Sequence, residues 1–68
     1  MRDPNRLDNF YDEMKKLHMK HFPDWRFSQM MCNYFRYSFD VKKIDPFFFE
    51  EDHFISSFKE FIDWSIEQ

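Results

Sequence analysis

The alternation of apolar and polar positions divides the chain into three helical segments joined by short connections. Over residues 4–20, apolar side chains recur at Leu7, Phe10, Tyr11, Met14 and Leu17. That spacing lays them along one stripe of a 3.6-residue helix. His18 and His21 prolong the stripe, while Asp8, Asp12, Glu13, Lys15, Lys16 and Lys20 fall outside it, on the solvated side. Asp3 is placed to cap this helix, and Pro4 suits its first position, where a missing N–H costs nothing. Phe22-Pro23 stops it, because the residue before a proline is pushed out of helical geometry.

The second segment, residues 25–39 with Asp24 as its candidate cap, has no narrow stripe. Projected at 100° per residue, Trp25, Phe27, Met30, Met31, Cys32, Tyr34, Phe35, Tyr37 and Phe39 cover about two-thirds of the circumference. Arg26, Gln29, Asn33 and Arg36 are left as a thin polar strip. A helix that is apolar nearly all round is a buried helix. The pattern therefore predicts an all-α, compact three-helix domain with the second helix packed between the first and third. Cys32 reads as a small hydrophobe inside it. Two flanking helices cover only part of such a perimeter. Either Phe47-Phe48-Phe49, read as an extended lead-in packing back on the core, or a second chain closes the gap. The third helix is predicted over residues 50–66. Glu50, Glu51 and Asp52 sit in its first turn, where the helix dipole favours them, and its stripe is Phe54, Ile55, Phe58, Phe61, Ile62 and Ile66. Trp64 lies off that stripe.

Composition changes this picture in two ways. First, it removes chemistries. The 68 residues make a single domain, 1–68, and contain no glycine and one cysteine. Gly-rich phosphate loops, dinucleotide turns, internal disulfides and multi-Cys zinc sites are thereby excluded. Neither an enzyme nor a bound cofactor is expected. Ten basic against thirteen acidic residues give a net charge of −3, so an electrostatic grip on nucleic acid is not the default. That class stays as the alternative, a small regulatory nucleic-acid-associated protein, on the basic and aromatic run from Lys20 to Phe27. No apolar run approaches the roughly 20 residues of a membrane span, and Met1-Arg2-Asp3-Pro4-Asn5 does not read as a signal peptide. A cytoplasmic protein is expected. Second, 24% of the chain is aromatic, with eleven phenylalanines. A domain of about 60 residues buries only about 60% of its unfolded surface, so some of these rings should reach an interface.

Trp25, Tyr37, Phe39 and Trp64, at or beyond stripe edges, are the candidate partner or dimer rings. Glu50, Glu51 and Asp52 form a candidate charged rim. A homodimer that buries the second face of the middle helix against its mate is expected. Arg26, if central, needs a carboxylate, because a buried unpaired charge is costly. A structural pair with the acidic run, Arg26 to Glu51, fills that need. The His18/His21 pair has metal-ligand spacing but no third ligand, and Cys32 with a histidine has no oxyanion hole, so neither is read as a site.

Phe22-Pro23-Asp24-Trp25-Arg26-Phe27-Ser28-Gln29, followed by Asn33 and then by Asp45-Pro46-Phe47-Phe48 with Glu50-Glu51-Asp52, resembles a family of short bacterial and phage proteins. Their pattern is a Pro-Asp-x-Arg-Phe-Gly-Gln helix start followed by an Asp-Pro-Phe-aromatic acidic segment. The resemblance spans residues 9–61 and departs at Ser28, where the family has glycine. It implies a small all-helical protein of phages or mobile elements and transfers no catalytic residue. Size, acidity, surplus aromatics and this resemblance together point to a phage- or prophage-type inhibitor of a host protein, anti-phage defence included. It would act in the host cytoplasm.

Overall fold

The computed structural model describes residues 2–67. They form α1 (Arg6–His21), α2 (Phe27–Arg36), a single π turn (Tyr37–Val41), a 3-10 turn (Pro46–Phe48) and α3 (Glu51–Glu67). The all-α three-helix domain expected from the periodicity is what forms.

Local chemistry accounts for each helix end. α1 starts two residues later than expected: Asn5 is its cap residue, with no side-chain cap bond, and Asp3, whose carboxylate accepts the Asn5 N–H at 3.0 Å, orders the turn ahead of the helix. Phe22, ahead of Pro23, leaves helical geometry at φ −135° and ψ 50° while its N–H still reaches the His18 carbonyl. The second helix begins two residues later than expected. Arg26, extended at ψ 153°, is its cap residue, and the Arg26 N–H donates to Gln29 Oε1 at 2.8 Å. Asp24 is not the cap, and Trp25 lies ahead of the helix.

The chain has no glycine to end α2, and the exit is made differently. The helix widens into the π turn, with the Lys42 N–H reaching the Tyr37 carbonyl at 3.1 Å. Lys43 then takes the left-handed conformation at φ 61°, a geometry that costs a non-glycine residue about 1–2 kcal/mol. A two-way clasp holds it. The Ile44 N–H donates to the Ser38 carbonyl at 2.9 Å, and Ser38 Oγ donates to the Ile44 carbonyl at 2.6 Å. Ser38 is buried for this purpose. Asp45 then accepts the Phe47 N–H at 2.9 Å and sets the 3-10 turn.

α1 and α3 lie side by side. Arg6 meets Glu51, Phe10 meets Phe54 at 5.8 Å between ring centres, and Glu13 meets Lys59. The partners advance together along both helices, so the two run parallel. The expectation that α2 separates them is corrected: α3 is the helix that meets both others. Phe54 touches Phe10 on one side and Tyr34 of α2, at 4.9 Å, on the other.

The core holds Met14, Phe22, Met30, Tyr34, Tyr37, Phe58, Phe61 and Ile62. Its centre is a ring cluster. Tyr34 lies 5.4 Å from Phe58 and 5.8 Å from Phe61, and Phe22 lies 5.7 Å from Phe61 and stacks on Trp25 at 4.3 Å. The first three separations fall in the favourable range for aromatic pairs, and the Phe22–Trp25 stack is slightly closer. The Tyr34 hydroxyl donates to Ser57 Oγ at 2.8 Å, so the ring is buried with its polar end satisfied.

A second correction concerns α2. It is not enclosed: Met30 and Tyr34 are buried, but Phe27, Cys32 and Phe35 are exposed. Cys32 is therefore no core hydrophobe. The radius of gyration, 12.2 Å, exceeds the roughly 11 Å of a close-packed chain this long. The extents of 39 × 26 × 18 Å show a flattened body with too little thickness to cover every ring.

Candidate functional site

Three surfaces collect the residues singled out above. The first is a phenylalanine face at the exit of α2. Phe35 and Phe39 stand on one side of a groove of about 400 Å³, and Phe47 and Phe49 on the other, with Pro46 and Phe54 also lining it. Phe35 is 39% exposed, Phe39 50%, Phe47 79% and Phe48 84%. Phe47 and Phe48 pack edge to face on each other at 4.9 Å. The expectation that Phe47 and Phe48 fold back on the core is overturned. The 3-10 turn set by Asp45 buries Pro46 and turns the two following rings outward. Only Phe49 folds back, stacking on His53 at 3.8 Å. Phe39 is exposed as expected; Phe35 and Phe47 on this face were not singled out. The signal for Phe47 in the sequence is its place beside the turn chemistry of Asp45-Pro46; Phe35, inside α2, carries no such signal.

The second surface is a cleft of about 350 Å³ that brings together Trp25, Tyr37 and Trp64, with Phe61 behind them and Arg36 and Asp40 on its polar side. Three of the four candidate rings thus meet in one place. Tyr37, expected at the surface, is buried. Its ring lies 5.1 Å from Trp64 and 5.4 Å from Phe61. Helical register explains this: Tyr37 keeps α geometry with its N–H on the Asn33 carbonyl, and with Met30 and Tyr34 it forms the i, i+4, i+7 row of the buried face. Both tryptophans are half-buried. The Trp25 backbone is fastened by His18, whose Nε2 is 2.7 Å from the Trp25 carbonyl oxygen and donates to it.

The third surface is acidic. Glu13, Glu50, Glu51 and Asp52 line a groove of about 620 Å³ between α1 and α3, together with Arg6 and Phe10. Glu51 is half-buried and pairs with Arg6 at 2.6 Å, and Glu50 pairs with Arg2 at 2.7 Å. The expected Arg26–Glu51 pair is corrected. Arg26 is exposed on the outside of the α2 cap, where water satisfies its charge. The parallel packing of α1 and α3 instead sets the start of one beside the start of the other. Two helix N-termini side by side concentrate positive dipole charge, which gives most of this acidic run a structural role. Asp52 remains exposed.

Among the described residues, no group of three or more His, Cys, Asp or Glu side chains gathers as for a metal. Burial raises the Tyr34 phenol above its ordinary value of 10.0; the bond to Ser57 opposes this, and the charges of Tyr37 and Glu60 add to it. That shift belongs to the core. No described helix is long and apolar enough to cross a membrane. No family model, curated protein or solved structure matches the chain.

Proposed function

We propose that this is a non-enzymatic protein-binding domain, of the kind a phage or prophage uses to block a host protein, a defence protein among the possible targets. It would act in the cytoplasm of the host. The observation that carries this reading is the coexistence of a completed aromatic core with phenylalanines left in water. Exposed apolar surface grouped in this way marks an interaction site. The Trp25–Trp64 cleft supports a partner-facing role, because large half-buried rings beside a pocket are the side chains that dominate binding energy at interfaces. The exposed carboxylate of Asp52, with Glu50 and Glu51 nearby, would steer a basic partner towards it. The resemblance to short phage proteins belongs to the same reading, as does a homodimer.

The test is quantitative capture from host lysate by wild-type protein and by Trp25→Ala and Trp64→Ala, each checked for its melting temperature. One host protein, retained in near-stoichiometric amount by the wild type and at least tenfold less by folded variants, is expected. Capture that ignores both tryptophans overturns the role given to the cleft. No specific capture from any plausible host overturns the reading as a whole.

A further inference from the structure

The phenylalanine face differs from the tryptophan cleft in both size and charge. Taking 150–250 Å² per ring, its four rings leave on the order of 400–600 Å² of aromatic surface in water. That matches the largest apolar patch a typical monomer carries. Ile44, also exposed and close by in the chain, adds to it, and the total stays below the roughly 800 Å² per partner of a standard interface. The turn segment beside it carries both signs, acid, base, base, acid, with Asp40, Lys42, Lys43 and Asp45 all exposed; Asp45 lines the groove itself, and Asp40 lies at the end shared with the tryptophan cleft. Lys42 holds Glu60 only loosely, at 3.7 Å, and Lys43 has no ion-pair partner among the described residues. A partner of one charge would be repelled by half of this segment. A second copy turned about a twofold axis can set the basic pair of each chain against the acids of the other.

We propose that Phe35, Phe39, Phe47 and Phe48 form the face on which two copies of this chain join about a twofold axis. The proposal rests on the reading of the protein as an interaction domain and locates its dimer on the turn-built face, apart from the cleft. The modest footprint, at the low end of protein interfaces, makes it a weak, transient dimer.

Sedimentation equilibrium of the full chain between about 10 μM and about 1 mM, a span suited to a weak dissociation constant, tests it. The weight-average mass of the wild type should rise from one copy toward two and stop there. Phe47→Asp and Phe39→Asp, both at exposed positions, should keep the helical circular dichroism and weaken association at least tenfold. Lys43→Asp should weaken it less. A wild type that stays monomeric at 1 mM, variants that associate as the wild type does, or growth beyond two copies would overturn the proposal. A monomeric chain that captures a host protein through Phe47 would assign the face to that protein, and equally overturn it. The two readings fail separately. Trp64→Ala should leave the mass unchanged, and an intact dimer with no host capture sinks only the host-binding role.

Discussion

Tyr34 and Phe35 are neighbours in sequence with opposite fates, and the same holds for Tyr37 and Phe39 two and four residues on. Both tyrosines, each with a hydroxyl to satisfy, are buried; both phenylalanines, wholly apolar, stand in water. Polarity ranks them the other way round. What decides is the neighbour. The inner side of this segment meets Phe54, Phe58 and Phe61 of α3 and finds Ser57 for the Tyr34 hydroxyl. Among the described residues nothing covers the outer side, where Phe35 and Phe39 stay exposed. The inner side is where the stability of the fold resides.

Substitutions on the two sides should separate accordingly. The largest effect belongs inside. Phe58→Ala empties the centre of the ring cluster and should cost about 3–5 kcal/mol, enough to leave a domain this small largely unfolded in a urea titration. A wild-type midpoint would show that the cluster does not hold the fold. Next comes Tyr34→Phe, which removes the bond to Ser57 and should cost about 0.5–1.5 kcal/mol. The same hydroxyl gives a pH signature. A phenol whose folded value is raised binds its proton more tightly when folded. Its contribution is thus fully present below the ordinary value of 10.0 and is lost as pH rises through the folded value. Wild type should lose stability above pH 10 more steeply than Tyr34→Phe; equal slopes would mean the phenol is not protected.

Smaller effects probe the turn and the ion pairs. Lys43→Gly relieves the left-handed strain and should raise stability by up to about 1 kcal/mol, offset in part by the greater freedom of glycine in the unfolded chain. Arg6→Ala should cost less than about 1 kcal/mol, since its pair with Glu51 is partly solvated, and Arg26→Ala should cost nothing measurable; the reverse order would restore the pairing first expected. The smallest effect lies outside. Phe48→Ser should leave the melting temperature of the dilute protein unchanged within about 0.5 kcal/mol, which is the sharpest contrast with Phe58.

What the sequence made legible follows from where periodicity applies. The stripes of α1 and α3 are readable at their centres, where Met14, Phe58, Phe61 and Ile62 are buried as their spacing implies; Tyr11 and Ile66, counted in the same stripes, are exposed. Trp25, Tyr37 and Trp64 were picked as stripe-edge rings, and they do share one cleft. Tyr37 continues the buried row of Met30 and Tyr34 at ordinary helical spacing, which a count of the whole apolar perimeter hides. One local device defeated the projection. The Asp45 cap turns Phe47 and Phe48 outward, against the expectation that consecutive apolar residues seek the core. The partner of Glu51 was misassigned because chain order does not reveal that α1 and α3 run parallel. Cys32 was misplaced because a perimeter count treats apolar character as burial.

The chain's two indoles, Trp25 and Trp64, flank the same opening. Intrinsic fluorescence from this protein is consequently a report on one location. A ligand seated between them should quench or shift the emission without any attached dye, whereas contact at Phe47 and Phe48, which pack on each other, should change the spectrum less. The molecule thus contains its own optical gauge for telling one kind of company from the other.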